Sequence, residues 1–246
     1  FGIFRRNRKP AKQPKRILIN NYGGYMGKIL RVDLTKEVLT EENLPDEKTM
    51  RQYIGGTGLG VKFMYDEVPA NVKWSDPENR LIWLTGPFTG TKAPGSGTYT
   101  VATKGPLTGF FGASHCNGFF GARLKFAGYD GIIVQGAANR WLYLYIHNGK
   151  AELRGAEHLL GMDTWETEDD LLSEVGEKQA SVACIGPAAE NLVKYCGICS
   201  DKGHIASSNG CGSVMASKKL KAVVVHGTNQ VPVYAKDKLT PLVKQW

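Results

Sequence analysis

The segment GPFTGTKAPGSGTYTVATKGPLTGFFG, residues 86–112, is the most informative part of this sequence. It follows a buried-type apolar run, LIWLTG (81–86), and two further glycine-rich segments come after it, SHCNGFFG (114–121) and GHIASSNGCGSVM (203–215). Glycine lets the backbone approach a ligand closely and leaves N–H groups free to bind phosphate or carbonyl oxygens. A tight turn explains any single glycine, but three such segments beside buried elements indicate a backbone cradle for a large polar cofactor.

Short strands and helices alternate irregularly on both sides of this segment. Residues 27–34 and 36–39 alternate apolar and polar positions and predict a β-hairpin, and Asp46 predicts the start of a helix that GGTGLG (55–60) interrupts. Further strands are predicted at 98–104, 131–136, 141–146, 150–155, 180–186 and 221–227, helices at 118–128 and 163–175, and helical pieces at 199–219. This order has no regular βαβ alternation, so we predict an α+β fold of two β-sheets with flanking helices. No internal repeat is visible.

Positive charge is concentrated at the amino-terminal end. Residues 1–16 contain seven Lys or Arg and no acid, so the formal net charge of +8 leaves only about +1 on the rest of the chain. We predict a basic flexible tail at 1–22, one domain at 23–230 and the start of a linker or following element at 231–246. No nucleic-acid recognition motif follows the tail, which is interpreted as a flexible arm or a docking arm for a partner subunit. No apolar run approaches the roughly 18 residues that span a bilayer, so no membrane span is expected.

The cysteines and the lack of standard nucleotide-binding motifs limit the kinds of site that this sequence can form. Five cysteines without a secretory signal favour reduced thiols and a cytoplasmic location. Cys196-x-x-Cys199, with Cys211 and Cys116, is an alternative zinc or iron–sulfur constellation. A companion C-x-x-C pair is missing, so buried thiols are the default interpretation. GGTGLG does not fit G-x-G-x-x-G and no G-x-x-x-x-G-K-[ST] is present, which argues against a Rossmann or P-loop site.

Seven collinear motifs resemble the aldehyde:ferredoxin oxidoreductase family. They are GKILRVDL (27–34), IGGTGL (54–59), TGPFTGTKAP (85–94), TKGPLTGF (103–110), FFGARLKFAGYDGIIVQG (119–136), IGPAAENLVKY (185–195) and SVMASKKLKAVVVHG (213–227). The resemblance implies the N-terminal domain of such an enzyme, whose two sheets form the base under a tungsten (or molybdenum) bis-pyranopterin. It also implies a magnesium ion between the pterin phosphates.

The resemblance assigns site residues on two loops. It places the following residues near the cofactor: Thr98, His115, Cys116, Asn117 and Gly118 on the first loop, and His204, Ile205 and Ala206 on the second. The backbone carbonyls of His115 and Ile205 are expected to bind magnesium, and His115 is the local candidate for catalytic proton transfer. The family's best-known members have Arg at the positions of Thr98 and His204 and Asn at that of His115. Neither Thr nor His reproduces the bidentate phosphate binding of Arg.

The implied function is the cofactor-binding part of a pterin oxidoreductase. An aldehyde-type substrate would be oxidised, and electrons would pass through a 4Fe-4S cluster, whose ligands are not in this chain, to ferredoxin or an iron–sulfur subunit. Activity would require C-terminal catalytic domains or a partner subunit. One alternative is a cofactor-free structural or electron-transfer subunit, which the departure at Thr98 and the absent cluster ligands motivate. Another is a low-potential reductase of the aromatic-thioester type.

Overall fold

Two six-stranded β-sheets form the body of the protein in the computed structural model, which describes residues 23–245. The first sheet has the order β2-β1-β6-β3-β4-β5 and contains β1 (Lys28–Asp33), β2 (Val38–Asn43), β3 (Leu81–Thr85), β4 (Tyr99–Lys104), β5 (Phe111–Cys116) and β6 (Gly131–Gln135). The second has the order β11-β10-β9-β12-β7-β8 and contains β7 (Leu142–His147), β8 (Lys150–Gly155), β9 (Ser181–Cys184), β10 (Ile198–Ser200), β11 (His204–Ala206) and β12 (Leu220–His226). The predicted α+β fold with two sheets is confirmed. The arm expected at 1–22 lies outside the described residues.

Helices flank both sheets. They are α1 (Glu47–Tyr53), α2 (Gly56–Glu67), α3 (Phe120–Phe126), α4 (Thr164–Val175), α5 (Pro187–Glu190), α6 (Cys211–Ser217) and α7 (Lys236–Val243), with a 3-10 helix at Glu157–Leu159. Helix α4 has local signals at both ends. The Asp163 carboxylate accepts bonds from the first-turn amides in a capping box with Glu166, and Gly176 ends the helix in the left-handed conformation.

The two sheets have the same strand topology. In each, a hairpin is followed by three antiparallel strands. The sixth strand then lies between the hairpin and these three strands. It is parallel to the first strand of the hairpin and antiparallel to the first of the three strands that follow the hairpin. Strand β6 takes this place in the first sheet and β12 takes it in the second. Residues 28–226 therefore form two half-domains with one architecture.

The sequence retains only short traces of this duplication. Gly-Pro follows the third strand of each half, at Gly86-Pro87 and Gly186-Pro187. Asn-Gly precedes the helix that leads to the last strand, at Asn117-Gly118 and Asn209-Gly210, and both glycines have positive φ. Dipeptides of this kind are too common to reveal a repeat by inspection. The strand order reveals it because pairing topology does not depend on side-chain identity.

The prediction of helical pieces at 199–219 is wrong over its first part. Residues 198–206 form the short hairpin of β10 and β11, and only α6 is helical. Asp201 and Lys202 have φ values of 47° and 53°, a left-handed turn that helical periodicity does not reveal. Strand β5 was also not predicted, because FGASHC combines glycine with small and polar residues that have low strand propensity.

One of the three clusters of buried hydrophobic residues among residues 23–245 spans both half-domains. The edge strands β5 and β11 are in contact, and a single cluster of buried residues includes side chains from both sheets. A polar bridge crosses this junction, since the Tyr99 hydroxyl lies 3.0 Å from Ser200 Oγ and Cys116 Sγ lies 3.5 Å from the same oxygen. The loops that end β5 and β11 are consequently fixed beside each other.

Lys218 is buried, and among residues 23–245 no carboxylate contacts it. We therefore expect the stability of the protein to depend on pH. Its Nζ donates to the carbonyls of Gly136 (3.0 Å) and Pro77 (3.3 Å), and burial lowers the pKa of Lys218 to about 7. The unfolded chain has a lysine pKa of about 10.4, so between about pH 7 and pH 10 the unfolded state binds more protons than the folded state. The free energy of unfolding should therefore rise with pH in this window, by up to about 1.4 kcal/mol per pH unit.

Replacement of Lys218 by methionine tests this expectation. Urea unfolding at pH 7 and pH 9 should show a smaller rise in the free energy of unfolding for Lys218→Met than for the unchanged protein. The neighbouring Lys219, whose Nζ donates to Asn139 O, provides the control Lys219→Met. If the free energy of unfolding rises equally from pH 7 to pH 9 in the unchanged protein and in Lys218→Met, Lys218 is not neutral in the folded state.

Candidate functional site

A cavity of about 330 Å³ opens where α2, the loop after β3 and the start of β4 meet. It is lined by the segments 54–57, 86–89 and 98–100 together with Gly95, Ser96 and His115. Four of the lining residues are glycines, at positions 55, 56, 86 and 95. The cavity therefore joins the first of the three glycine-rich segments to GGTGLG, a motif that the sequence interpretation treated only as a helix interruption.

The amino-terminal end of α2 forms one wall of this cavity. The N-cap residue is Gly55, which has no side chain to bond the first amides of the 12-residue helix. Free N–H groups at a helix start, together with the helix dipole, favour an anion. Thr57 adds a hydroxyl in the first turn. This wall is thus suited to a phosphate or another oxyanion.

Other glycines of the rich segments pack against the protein's own backbone. A Cβ added to Gly97 would lie 2.3 Å from Gly118 O, and one added to Gly212 would lie 2.2 Å from Gly197 O. By contrast, a Cβ on Gly95 would meet no atom within 4 Å. At Gly97 and Gly212 glycine is required for close packing between loops, whereas Gly95 leaves open space in which a ligand could approach the backbone.

Three residues assigned to the first loop lie at or beside the cavity. His115 Nε2 is 2.9 Å from Thr57 Oγ1, which connects β5 to the start of α2. The Thr98 hydroxyl donates to Asn117 Oδ1 at 2.6 Å, which connects the start of β4 to the loop after β5. The structure thus brings Thr98, His115 and Asn117 to one rim, with His115 and Asn117 exposed to solvent.

Cys116 and Gly118 have different surroundings. Cys116 points into the core, and burial raises the pKa of its thiol, so a ligand would meet its backbone only. Gly118 has a φ of 95°, and a Cβ there would lie 2.4 Å from Asp201 Oδ2 and 2.9 Å from His204 Cδ2. Gly118 is therefore the point where the first loop touches the second.

The second loop lies on the short strand β11. His204 and Ile205 are exposed, whereas Ala206 is buried and offers only its backbone to a ligand. His115 pairs with Thr100 and Ile205 pairs with Cys199, one residue before the end of the edge strands β5 and β11. His115 and Ile205 thus occupy equivalent positions in the two half-domains.

Asp201 organises the junction between the loops and was not predicted. Its Oδ2 accepts bonds from the amides of Phe119 (2.6 Å) and Phe120 (3.1 Å) at the start of α3, and its Oδ1 accepts a bond from Ser181. The second half-domain therefore caps a helix of the first. An interaction over 81 residues of sequence separation leaves no local signal.

The cysteines do not form a metal centre among residues 23–245. Groups of three potential ligands with atoms within 4.8 Å of one another contain no cysteine there. All five thiols are free, and burial raises the pKa of each, to about 11 for Cys211. Cys116, Cys184 and Cys211 are buried, and Cys196 and Cys199 are partly buried. Within the same residues no helix combines the length and the apolar character needed to cross a membrane.

Comparisons with known proteins agree with this architecture. Residues 29–227 match the sequence model of "Aldehyde ferredoxin oxidoreductase, N-terminal domain". The tungsten-containing aldehyde ferredoxin oxidoreductase of Pyrococcus abyssi is 44% identical over 222 residues, which cover 90% of this chain and 36% of that protein. The aliphatic sulfonate oxidoreductase, WOR-like subunit, of Pyrococcus furiosus is 37% identical over 238 residues, covering 90% of this chain and 38% of that protein.

A solved structure has the same fold. The active site complex BamBC of benzoyl coenzyme A reductase, in complex with 1,5 dienoyl-CoA, superimposes with a TM-score of 0.88 at 39% sequence identity. The similarity covers 91% of this chain and 34% of that one, so the chain spans about a third of the proteins that it matches. The family model covers most of the chain and both half-domains. The chain therefore belongs to the aldehyde ferredoxin oxidoreductase family of oxidoreductases and corresponds to the N-terminal domain of that family.

Proposed function

We propose that this chain is the cofactor-binding part of a tungsten pterin oxidoreductase, with molybdenum as the alternative metal. The observation that carries the proposal is the open cavity at the uncapped start of α2. A pterin phosphate is an anion, and a helix start whose N-cap is Gly55 supplies amides for it. The residues present therefore fit the anionic end of the cofactor.

The chain's own residues would bind and orient this group. The amides at the start of α2 and the Thr57 hydroxyl would bind phosphate, and the Thr98–Asn117 pair would supply polar contacts at the rim. His115, held by Thr57, is the group that would hold or donate a proton toward the substrate side. When bound, the pterin-held metal supplies two-electron redox chemistry, and the protein supplies binding and orientation.

The duplicated topology supports two pterins and a magnesium ion between them. Each half-domain contributes one loop after an edge strand, and His115 and Ile205 occupy equivalent positions on these strands. An edge strand has backbone groups that no neighbouring strand pairs. We therefore propose the carbonyls of His115 and Ile205 as the two magnesium ligands from this chain.

The remaining parts of the enzyme are proposed from its relatives. The substrate would be an aldehyde, and electrons would pass through a 4Fe-4S cluster, whose ligands lie outside this chain, to ferredoxin or an iron–sulfur subunit. Phe88, Phe119 and Ile205 are large apolar residues exposed in and beside the two loops. C-terminal domains or a partner subunit would cover them. Free thiols with raised pKa values fit a reducing cytoplasm.

A low-potential reductase acting on an aromatic thioester is the second candidate. It is favoured by the structural similarity to a benzoyl coenzyme A reductase complex, at 39% identity. The cofactor-free scaffold remains the contrasting hypothesis, because Thr98 and His204 stand where the best-known family members have arginine. Both oxidoreductase candidates require the cofactor, and the scaffold does not.

Elemental analysis together with pterin extraction separates these hypotheses. The protein, purified under reducing conditions with its remaining domains or partner subunit, should contain about one tungsten per chain and a fluorescent oxidised pterin. Molybdenum in place of tungsten would support the proposed cofactor site with the alternative metal. A preparation with neither metal and no pterin would support the scaffold and remove the enzymatic proposal.

A further inference from the structure

Two histidines and one glutamate meet at the carboxyl ends of the parallel strands β7 and β12. His147 ends β7, His226 ends β12, and the two are register partners whose ring centroids are 5.0 Å apart. Glu177 follows Gly176, the C-cap of α4, and brings its carboxylate to both rings. One potential ligand atom from each of the three residues lies within 4.8 Å of the others. None of the three lines the glycine-rich cavity.

The distances in this group leave space between the three side chains. His147 Nε2 lies 3.7 Å from one carboxylate oxygen of Glu177, and His226 Nε2 lies 3.7 Å from the other. Both distances exceed the limit of about 3.2 Å for an N–H···O hydrogen bond. A tetrahedral ion with bonds of about 2.0–2.1 Å holds its ligand atoms about 3.4 Å apart. Each nitrogen is therefore slightly farther from its carboxylate oxygen than tetrahedral ligands are from each other, and one potential ligand atom from each residue lies within 4.8 Å of the others.

The hydrogen bonds around His147 show that its Nε2 carries no proton. The Thr228 amide donates to Asn148 Oδ1 at 2.9 Å, which fixes the orientation of the Asn148 side-chain amide. The Nδ2 of that amide is then the atom 3.1 Å from His147 Nε2, and it can only donate. His147 Nε2 is therefore unprotonated, as a metal ligand must be, and an ion would replace the Asn148 hydrogen bond on its single lone pair.

His226 lacks the partners that a buried imidazole requires. Its side chain is about nine-tenths buried, and its Nδ1 has no hydrogen-bond partner among residues 23–245. Its Nε2 faces Glu177 at a distance too long for a hydrogen bond. Buried polar groups in folded proteins are almost always paired. An ion on Nε2 would give that nitrogen a partner, while Nδ1 would remain unpaired.

We propose that His147, Glu177 and His226 bind a divalent transition-metal ion. Zinc matches best, because two imidazoles, one carboxylate and a water molecule are an established tetrahedral zinc arrangement. The ion would link the ends of β7 and β12 to the end of α4. Arg123 on α3 also acts electrostatically on His226 and donates to Gln179 at 3.2 Å, so its charge lowers the affinity without occupying a ligand atom.

A second group, His158, Asp170 and Glu174, provides the matched control. Its three residues are exposed, and His158 Nε2 lies 3.5 Å from Asp170 and 3.3 Å from Glu174, so exposure and existing partners rather than distance separate the two groups. Glu174 already accepts a bond from the Tyr143 hydroxyl at 2.5 Å and lies 3.8 Å from Arg154. Because these partners and solvent satisfy the group, it is not expected to hold an ion, and His158→Gln should leave metal binding unchanged.

Zinc binding by the intact protein tests the proposal. The protein is stripped with a strong chelator and titrated with zinc against a colorimetric chelator, and cobalt is used to detect tetrahedral ligand-field absorption. Glu177→Gln is the principal variant because Glu177 is half-exposed and glutamine preserves its shape. It should bind about one zinc fewer per chain than the unchanged protein and should lose the cobalt absorption. His147→Gln should have the same effect, and His158→Gln none.

Two results would overturn the proposal. One is equal zinc stoichiometry in the unchanged protein and Glu177→Gln. The other is a result in which Glu177→Gln loses zinc only because it is misfolded. In that case the circular dichroism spectrum of metal-free Glu177→Gln would differ from that of the unchanged protein, and the folded His147→Gln would still bind zinc. A raised melting temperature on zinc addition that is absent in Glu177→Gln supports the proposed link between β7, β12 and α4.

Discussion

Lys125→Met is expected to lower the free energy of unfolding by about 3–5 kcal/mol, because it leaves a buried carboxylate without its counter-charge. The side chains of Lys125 and Asp130 are 0% and 4% exposed, and Nζ lies 3.1 Å from Asp130 Oδ1. This contact is an ion pair rather than an aligned hydrogen bond. Burial lowers the pKa of Lys125 and the charge of Asp130 counteracts this shift.

The pair fixes the chain where it enters β1. Lys125 Nζ also donates to Gly24 O and lies 5.3 Å from the centre of the Tyr25 ring. Asp130 Oδ2 accepts from the Gly27 amide at 2.6 Å. Loss of the pair in Lys125→Met should therefore lower the free energy of unfolding of the whole domain. It should also release residues 24–27 from α3 and β6.

Denaturant unfolding followed by tryptophan fluorescence measures this effect. The double variant Lys125→Met/Asp130→Asn should recover part of the loss, since asparagine can still accept from Gly27 and has no charge. Lys62→Met removes the exposed ion pair with Asp66 and should change the free energy of unfolding by less than about 0.5 kcal/mol. Equal midpoints for Lys125→Met and Lys62→Met would contradict a buried ion pair.

Much of the fold follows from local sequence signals. The cap residues Asp163 and Gly176 bound α4, and the alternation on either side of residues 147–149 gives the β7–β8 hairpin. The hairpin of β10 and β11 does not follow, because its three-residue strands are stabilised by pairing with β9 and by burial against β5. The duplication of the two halves depends on strand order, which a single sequence does not encode in readable form.

The candidate site could be predicted only in part. Its glycine-rich segments are visible in the sequence, and the family resemblance assigned its loop residues. Neither could separate open glycines such as Gly95 from packed ones such as Gly97. The α2 wall was missed because GGTGLG was interpreted as a helix interruption, although the helix begins at Gly56. Asp201 was missed because it acts on Phe119 and Phe120, far away in sequence.

Gly95→Asp is expected to remove most of the tungsten from the purified enzyme. Gly95 lines the cavity, has a φ of 69°, and a Cβ there would meet no atom within 4 Å. An added carboxylate would repel a phosphate bound in the same cavity. Two unit negative charges about 7 Å apart oppose each other by about 2 kcal/mol at an effective dielectric constant of about 20, which corresponds to roughly 30-fold weaker binding. The change adds charge without creating a clash.

Two control variants separate the effect of the added charge from the effect of placing a side chain on a backbone with positive φ. Asparagine tolerates positive φ as well as aspartate does, so Gly95→Asn introduces nearly the same shape without charge. Gly109 also has a φ of 69° and open space around it, but it does not line the cavity. Gly109→Asp therefore adds the same charge in the same backbone conformation elsewhere.

The tungsten content of purified Gly95→Asp, compared with that of Gly95→Asn, tests most directly whether the cavity at the start of α2 holds the anionic end of the cofactor. We predict that Gly95→Asn and Gly109→Asp retain about one tungsten per chain and that Gly95→Asp loses most of it. Full tungsten content in Gly95→Asp would contradict it.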